Sequence, residues 1–284
     1  LGFTRICSPK IVYSGAEGGA NIFKLDYFGR EAFLAQSPQF YKQIMVGIYG
    51  RVFEVGPVFR AEKHDTSRHL NEYISLDFEM GFIESFMDLI QMEASVLNAI
   101  FARLEKECAN EIDLLDIRVP RLDRIVTVPF DEVHQIIHSN FGKDYRGEKD
   151  LAPEEEKLIC EYAEKEWKTE FVFVTHYPSA KRPFYTMDDP DDPSKTFSFD
   201  LLFRNLEITT GGQRLHRYED YINKMKKLGM NPQLFTSYLQ TFEFGMPPHG
   251  GLGLGLERLT AQLCGLSNVK EASLFPRDIN RLEP

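Results

Sequence analysis

Apolar and polar positions alternate most regularly between Phe53 and Met80. Ile74, Leu76, Phe78 and Met80 take turns with Tyr73, Ser75, Asp77 and Glu79, a period of two that makes a strand with one apolar and one polar face. The preceding stretch, Val52 to Glu62, carries Arg60 and Glu62 on one side and Phe59 and Ala61 on the other. The two arms predict a hairpin whose loop, about Lys63 to Asn71, is too long for a two-residue turn. Further strands are expected at Leu1 to Ile11, ended by Pro9, and at Ile22 to Tyr27 and Glu31 to Ala35 around Phe28-Gly29-Arg30. Phe171 to Thr175, Thr196 to Arg204 and Leu206 to Thr210 complete the set. Helical spacing marks Phe40 to Tyr49, with Pro38 near its start, and Ser85 to Cys108, whose stripe of Phe86, Leu89, Ile90, Leu97, Ile100, Phe101 and Leu104 is core packing. Residues 129–168 read as a helical insertion with a mostly solvated surface, and Tyr218 to Leu228 as an amphipathic helix with a basic end.

Composition narrows the class. The 284 residues lie between one large domain and two ordinary ones, and 43% hydrophobic with 13% aromatic residues suffices for a packed core. Lys and Arg number 33 against 43 Asp and Glu, a net charge of −10 that excludes a general nucleic-acid binder, so contact with RNA must be local. The four cysteines show no CxxC spacing, which indicates neither a zinc site nor a disulfide framework; free thiols suit a cytoplasmic location. No apolar run approaches a membrane span, and no signal peptide is expected. Because the sequence opens at Leu1 inside an apolar, Pro-containing segment, the chain is expected to be part of something longer.

Several charged residues stand where a solvated surface would not put them. The polar face of the second hairpin arm holds short Asp77 and bulky Tyr73, and the loop gathers Arg60, His64, Arg68 and His69, a set that suits a polyanion. Lys42 falls in the first turn of its helix, where a cation opposes the macrodipole unless an anion sits in front of it. Glu207 is an acid within an apolar strand, costly to bury without a cation or a metal. Arg60, Arg214 and Arg258 lie at element ends beside glycines, prolines or acids, where their forks can bind carboxylate or phosphate. Glu17 is the one acid in the glycine-rich SGAEGGAN stretch, a linker or a lid. The run GGLGLGLER fits neither a dinucleotide fingerprint nor a P-loop; its alternating glycines would let a flat ligand lie against bare backbone.

Five segments carry a resemblance. GFTRICSPKI is similar to the end of motif 1 of the class II aminoacyl-tRNA synthetases, GPVFRAE…SRHLNEYISLDFEM to motif 2 and GLGLGLERL to motif 3, while QSPQFYKQ and EITTGGQR mark the aspartate branch. The chain thus resembles, over essentially its whole length, the catalytic domain of that class, closely the aspartate-specific kind of archaea and eukaryotes. The resemblance implies an α+β fold, a mainly antiparallel sheet flanked by helices with residues 129–168 inserted, and a homodimer lacking here most of motif 1 and an N-terminal anticodon-binding domain. It implies ATP and Mg²⁺ as cofactors and L-aspartate and tRNA as substrates. Arg60 would hold the α-phosphate and Arg258 the γ-phosphate, Tyr73 would stack on adenine, and Glu62, Arg68 and His69 would border the nucleotide. Glu207 and Thr210 would hold the metal, although residues three apart face opposite sides of a flat strand, so sharing it requires a bulge or bend at Thr209. Gln39, Lys42, Asp77, Thr210 and Arg214 would grip aspartate, with Glu17 approaching its ammonium group. Lys42 and Arg214 would then be left as two unpaired, desolvated cations by a neutral amide, favouring aspartate over asparagine. A stand-alone paralogue that adenylates aspartate for another acceptor such as ammonia, and a binding module with a dead site, stay open as alternatives.

Overall fold

The computed structural model describes residues 1–13, 15 and 21–284; Glu17 lies outside the described residues. In chain order the elements are β1 (Thr4–Arg5), β2 (Ile11–Val12), β3 (Lys24–Tyr27), β4 (Arg30–Leu34), α1 (Gln39–Tyr49), β5 (Arg51–Phe59), β6 (Glu72–Gly81), α2 (Met87–Glu107) and α3 (Ala109–Leu114). They continue as β7 (Thr127–Pro129), α4 (Phe130–Phe141), α5 (Pro153–Tyr162), β8 (Phe171–Thr175), β9 (Ser198–Phe203), β10 (Leu206–Gln213), α6 (Tyr218–Lys227), α7 (Thr236–Glu243), β11 (His249–Gly255) and α8 (Leu256–Leu263). Eight strands form one sheet in the order β1-β5-β6-β11-β10-β9-β8-β7, and β2-β4-β3 form a second. Among the strands of the described residues, β1 with β5 and β7 with β8, at the two edges of the large sheet, pair in parallel and the others antiparallel.

The hairpin is present, and its ladder runs from Arg51 opposite Met80 to Phe59 opposite Glu72. It stops one residue before Arg60, because the Asn71 N–H goes to Arg277 O instead of back across the hairpin, and the Ala61 N–H goes to Asn21 O. Arg60 and Glu62 therefore project from the connecting loop and not from a strand, as the sequence had suggested. Leu1 to Ile11 is likewise not one strand: Pro9 offers no N–H to a ladder, and the segment is split between β1 and β2, which belong to different sheets.

Period-two alternation sorts the large sheet into two faces. Phe78 and Met80 of β6, Phe171 and Phe173 of β8, Phe199, Leu201 and Phe203 of β9 and Leu252 and Leu254 of β11 pack against Leu89, Ile90, Ala94, Leu97 and Phe101 of α2. The opposite face is covered at one end by α4 and α5, whose Val133, Ile137, Leu158 and Ile159 join Val172, Val174 and Leu202. Residues 129–168 are thus solvated outside, as expected, while their inner side closes a core of its own. At the other end α1, α6 and α7 enclose Val46, Tyr221, Met225, Tyr238, Leu239 and Phe242. Between these two layers the middle strands β6, β11 and β10 are left uncovered, and there the polar positions of β6 lie.

Candidate functional site

The uncovered strands floor a cleft of about 570 Å³. Gln39, Lys42, Arg60, Glu62, Arg68, His69, Tyr73, Asp77, Glu207, Thr210, Arg214 and Arg258, every candidate within the described residues, line it. These twelve come from α1, the hairpin loop, β6, β10 and the residue that follows it (Arg214), and α8.

The floor is ionic and dry. Helical spacing aims Gln39, Lys42, Gln43 and Val46, all buried, inward from α1. Lys42 is 1% exposed, Asp77 2% and Glu79 0%. Lys42 Nζ donates to Asp77 Oδ1 at 2.9 Å and to Leu252 O at 2.7 Å, with Glu79 Oε2 at 3.5 Å. Arg214 Nε donates to Glu79 Oε1 at 2.9 Å, and its Nη2 reaches Gly251 O at 2.9 Å and Gln39 Oε1 at 3.5 Å. Burial pushes the Glu79 carboxyl up, but Arg214 and Lys42 outweigh it and hold the group below its ordinary value. Two buried cations thus face two buried carboxylates. This corrects one expectation: Lys42 and Arg214 are not left unpaired when a neutral side chain occupies the cleft, since Asp77 and Glu79 already compensate them. Among the described residues Arg214 Nη1 makes no hydrogen bond, which leaves one donor of the fork for a ligand.

The mouth carries phosphate-sized chemistry. The Arg60 guanidinium lies 5.6 Å from the centre of the Tyr73 ring, and Glu62 approaches Arg60 at 3.9 Å and His69 Nε2 at 3.2 Å. Burial, with Arg258 and Arg68 adding to it against Glu62, pulls the His69 imidazole below its usual value. Arg258 projects from the first turn of α8 and its Nη1 donates to Glu207 O at 2.9 Å. The Glu257 carboxylate beside it accepts the Ile74 N–H through both oxygens, at 3.0 and 3.1 Å, which pins α8 to β6.

At the side of the cleft β10 is irregular. Its register against β9 shifts between Glu207 and Thr209, and the bulge turns Thr210 to the side of Glu207, so that Thr210 Oγ1 donates to Glu207 Oε1 at 2.8 Å. Asp200 of β9, opposite Thr210, also lines the cleft. It accepts from Arg182 Nη2 at 2.7 Å through Oδ2, whereas its buried Oδ1 has no partner of normal geometry, although the Tyr177 phenol is near enough to influence it. Burial, opposed by Arg182 and aided by Glu207, raises the Asp200 carboxyl to about 6. Burial likewise works to raise Glu207, but Arg258 and the Thr210 hydroxyl prevail and keep it low. Two carboxylates and a hydroxyl, with one buried oxygen lacking a partner, fit a hard divalent cation.

Three contributors were not singled out from sequence. Glu79 was legible, since it alternates with Asp77 on β6. Asp200 shares the signal that marked Glu207, an acid in an apolar strand. Glu156 is one of three acids in the first turn of α5, yet its Oε2 accepts from Arg68 Nη2 and from the Glu207 N–H, the latter at 2.9 Å, tying α5 to the cleft. The glycine run also differs from expectation. A Cβ on Gly251 would lie 2.0 Å from Phe78 O and 2.3 Å from Glu79 Oε2, so that glycine makes room for the protein's own carboxylate. Of that run only Gly253 and Gly255 line the cleft.

Comparison with known proteins places these features in a lineage. The profile of the tRNA synthetases class II (D, K and N) matches residues 1–279. The aspartate–tRNA(Asp/Asn) ligase of Thermus thermophilus is 50% identical over 283 residues, 99% of this chain and 66% of that protein. The aspartate–tRNA(Asp) ligase of Pyrococcus abyssi is 44% identical over 100% of this chain and 65% of its own length. The chain therefore spans just under two thirds of these relatives. Among solved structures, the asparaginyl-tRNA synthetase of Pyrococcus horikoshii complexed with asparaginyl-adenylate superimposes with a TM-score of 0.92 at 32% identity, covering 100% of this chain and 65% of that one. The aspartyl-tRNA synthetase of Entamoeba histolytica gives 0.88 at 33% identity, covering 99% and 55%.

Proposed function

Since this chain belongs to the class II tRNA synthetases (D, K and N), we propose that it activates L-aspartate with ATP to aspartyl-adenylate and transfers the aspartyl group to the 3′ end of tRNA. The observation that carries this reading is the pairing within one cleft of a floor built from Lys42 and Arg214 with a mouth built from Arg60 and Arg258. The first pair, with the Arg214 Nη1 donor left over after Asp77 and Glu79 are paired, suits the side-chain carboxylate of an amino acid, and the second a triphosphate. The naming of the aspartate ligases at 42–50% identity supports aspartate. Fold alone does not, because the asparagine enzymes superimpose equally well.

In this reading the side-chain carboxylate of aspartate takes the spare Nη1 donor of Arg214 and shares Lys42 with Asp77. Arg60 and Arg258 bind the α- and γ-phosphates, Tyr73 stacks on adenine, and Glu62, Arg68 and His69 border the nucleotide. Glu207, Thr210 and Asp200 would hold Mg²⁺, which supplies positive charge against the phosphates. The α-carboxylate of aspartate attacks the α-phosphorus in line and pyrophosphate leaves, its charge met by Arg258; the terminal ribose hydroxyl of tRNA then attacks the adenylate carbonyl, the acyl–phosphate bond breaks and AMP leaves. No side chain serves as nucleophile, and positioning and electrostatics supply the rate. We assign the acceptor end of tRNA to this cleft and the anticodon to a domain outside the 284 residues, take residues 129–168 as an insertion within the catalytic domain, and place a homodimer in the cytoplasm. Among the described residues no helix is long and apolar enough to cross a membrane.

Aspartate-dependent exchange of pyrophosphate into ATP tests the activation step, and aspartylation of tRNA the transfer. Exchange supported by asparagine as well as by aspartate would overturn the choice of amino acid, and exchange without tRNA charging would favour another acceptor.

A further inference from the structure

We infer that Gln43, which touches no ligand position, is a positioning residue that sets recognition of the substrate's α-amino group by fixing which end of the Gln39 amide faces the cleft. The inference rests on the aspartate-activating reading above.

Gln43 is 0% exposed and uses all its hydrogen-bonding capacity. Its Oε1 accepts from Gln39 Nε2 at 2.9 Å and from the Tyr238 hydroxyl at 2.8 Å. Its Nε2 faces the Tyr221 hydroxyl at 3.1 Å and His249 Nε2 at 3.0 Å. The polarity of this network is set at a backbone atom. His249 Nδ1 lies 2.9 Å from Pro247 O, and a carbonyl oxygen only accepts, so Nδ1 carries the proton. Burial pushes the imidazole down to about 4, which keeps it neutral and leaves Nε2 as an acceptor. Gln43 must therefore turn its NH₂ to His249 and its oxygen to Gln39. Gln39 in turn spends its NH₂ on Gln43 and presents Oε1 to the cleft, where Arg214 Nη2 stands 3.5 Å away. The hydroxyls agree: Tyr238 gives its single proton to Gln43, and Tyr221 gives its own to Tyr238 across 2.9 Å.

An amide oxygen held in this way accepts from an ammonium group, whereas a flipped amide would oppose it with N–H donors. Gln39, Lys42 and Gln43 share one face of α1, so the helix reads amine and carboxylate from adjacent turns, and the buried network behind it holds the amine reader in one orientation.

The test compares aspartate with succinate, which is aspartate without its amine, in ATP–pyrophosphate exchange by this chain. In Gln43→Leu the KM for aspartate should rise about tenfold or more, the loss expected for a hydrogen bond to a charged group, while the inhibition constant of succinate and the KM for ATP stay at their original values. Gln43→Glu retains acceptors toward Gln39 and Tyr238 and should keep the KM for aspartate close to that of the unmodified chain; this variant also decides the matter if Gln43→Leu fails to fold. Equal weakening of succinate and aspartate in Gln43→Leu, or loss of aspartate affinity in a folded Gln43→Glu, overturns the role. Exchange by the unmodified chain with an unchanged aspartate KM in Gln43→Leu overturns this inference alone, whereas no aspartate-dependent exchange in the unmodified chain overturns the functional reading together with it.

Discussion

Thr210 Oγ1 donates to Glu207 Oε1 across 2.8 Å, although the two residues stand three apart on one strand and would face opposite sides of a flat sheet. The register shift between Glu207 and Thr209 makes the contact possible, and it gives the strand two oxygen-bearing side chains on the cleft side. Thr210→Val should raise the Mg²⁺ concentration needed for half-maximal exchange by roughly tenfold or more, in the range typical of removed metal-site partners. Thr210→Ser keeps the hydroxyl and should leave it unchanged. A magnesium titration of the exchange rate checks this, and a valine variant that titrates like the original would remove Thr210 from the metal site.

Lys42 is the shared partner of Asp77 and Glu79, so its loss has two separable effects. Lys42→Met should abolish aspartate activation with ATP binding retained, and should also destabilise the fold by about 3–5 kcal/mol through the uncompensated buried carboxylates. Adding Asp77→Asn should recover part of the stability and none of the activity. Denaturant unfolding and exchange kinetics read the two effects apart; an unchanged aspartate KM in the single variant would take Lys42 out of the site.

Arg258 serves the opposite end of the cleft. Arg258→Ala should weaken ATP by roughly tenfold or more, as for loss of a charge-assisted hydrogen bond, with the KM for aspartate preserved. The reverse pattern would contradict its place at the phosphates.

Behind the sheet, α2 carries Glu93 in the core. Both its oxygens are buried without a hydrogen bond of normal geometry. Burial lifts its carboxyl to about 8, with the Thr209 hydroxyl opposing and Asp200 adding. The folded chain therefore holds a proton on Glu93 that the unfolded chain releases near the ordinary carboxyl value of 4.5. Stability from this group is fully present below that value and is lost as pH rises toward about 8. Glu93→Gln should remove this part of the decline, raising the melting temperature at pH near 8 and leaving it little changed near pH 4. Parallel melting curves for the two proteins across that range would refute the assignment.

The elements themselves were legible because each rests on a local pattern. Alternation from Tyr73 to Met80 marks β6 whatever lies beside it, and the spacing of Leu89, Ile90, Leu97 and Phe101 marks α2. Lys42 and Glu207 were legible as misfits, a cation in a helix's first turn and an acid in an apolar strand. Arg60 and Glu62 were placed on a strand in error, because the end of a ladder depends on partners, here Arg277 and Asn21, that no local pattern names.

Sequence by itself determined the periodicities, the order of the motif segments and the set of charged residues that do not belong on a solvated surface, since these depend on side-chain chemistry and spacing along the chain. Tertiary structure alone decided which charges meet. β6 lies beside β11 across some 170 residues of chain, and α1 packs over both, so that Lys42 meets Asp77 of the one and Leu252 O of the other. The adjoining strand β10 leads Arg214 to Glu79, converting two supposedly unpaired cations into a neutral cluster. It also decided the direction in which the Gln39 amide points, because a carbonyl at Pro247 fixes that polarity through His249 two residues on, and only packing brings Gln43 to His249.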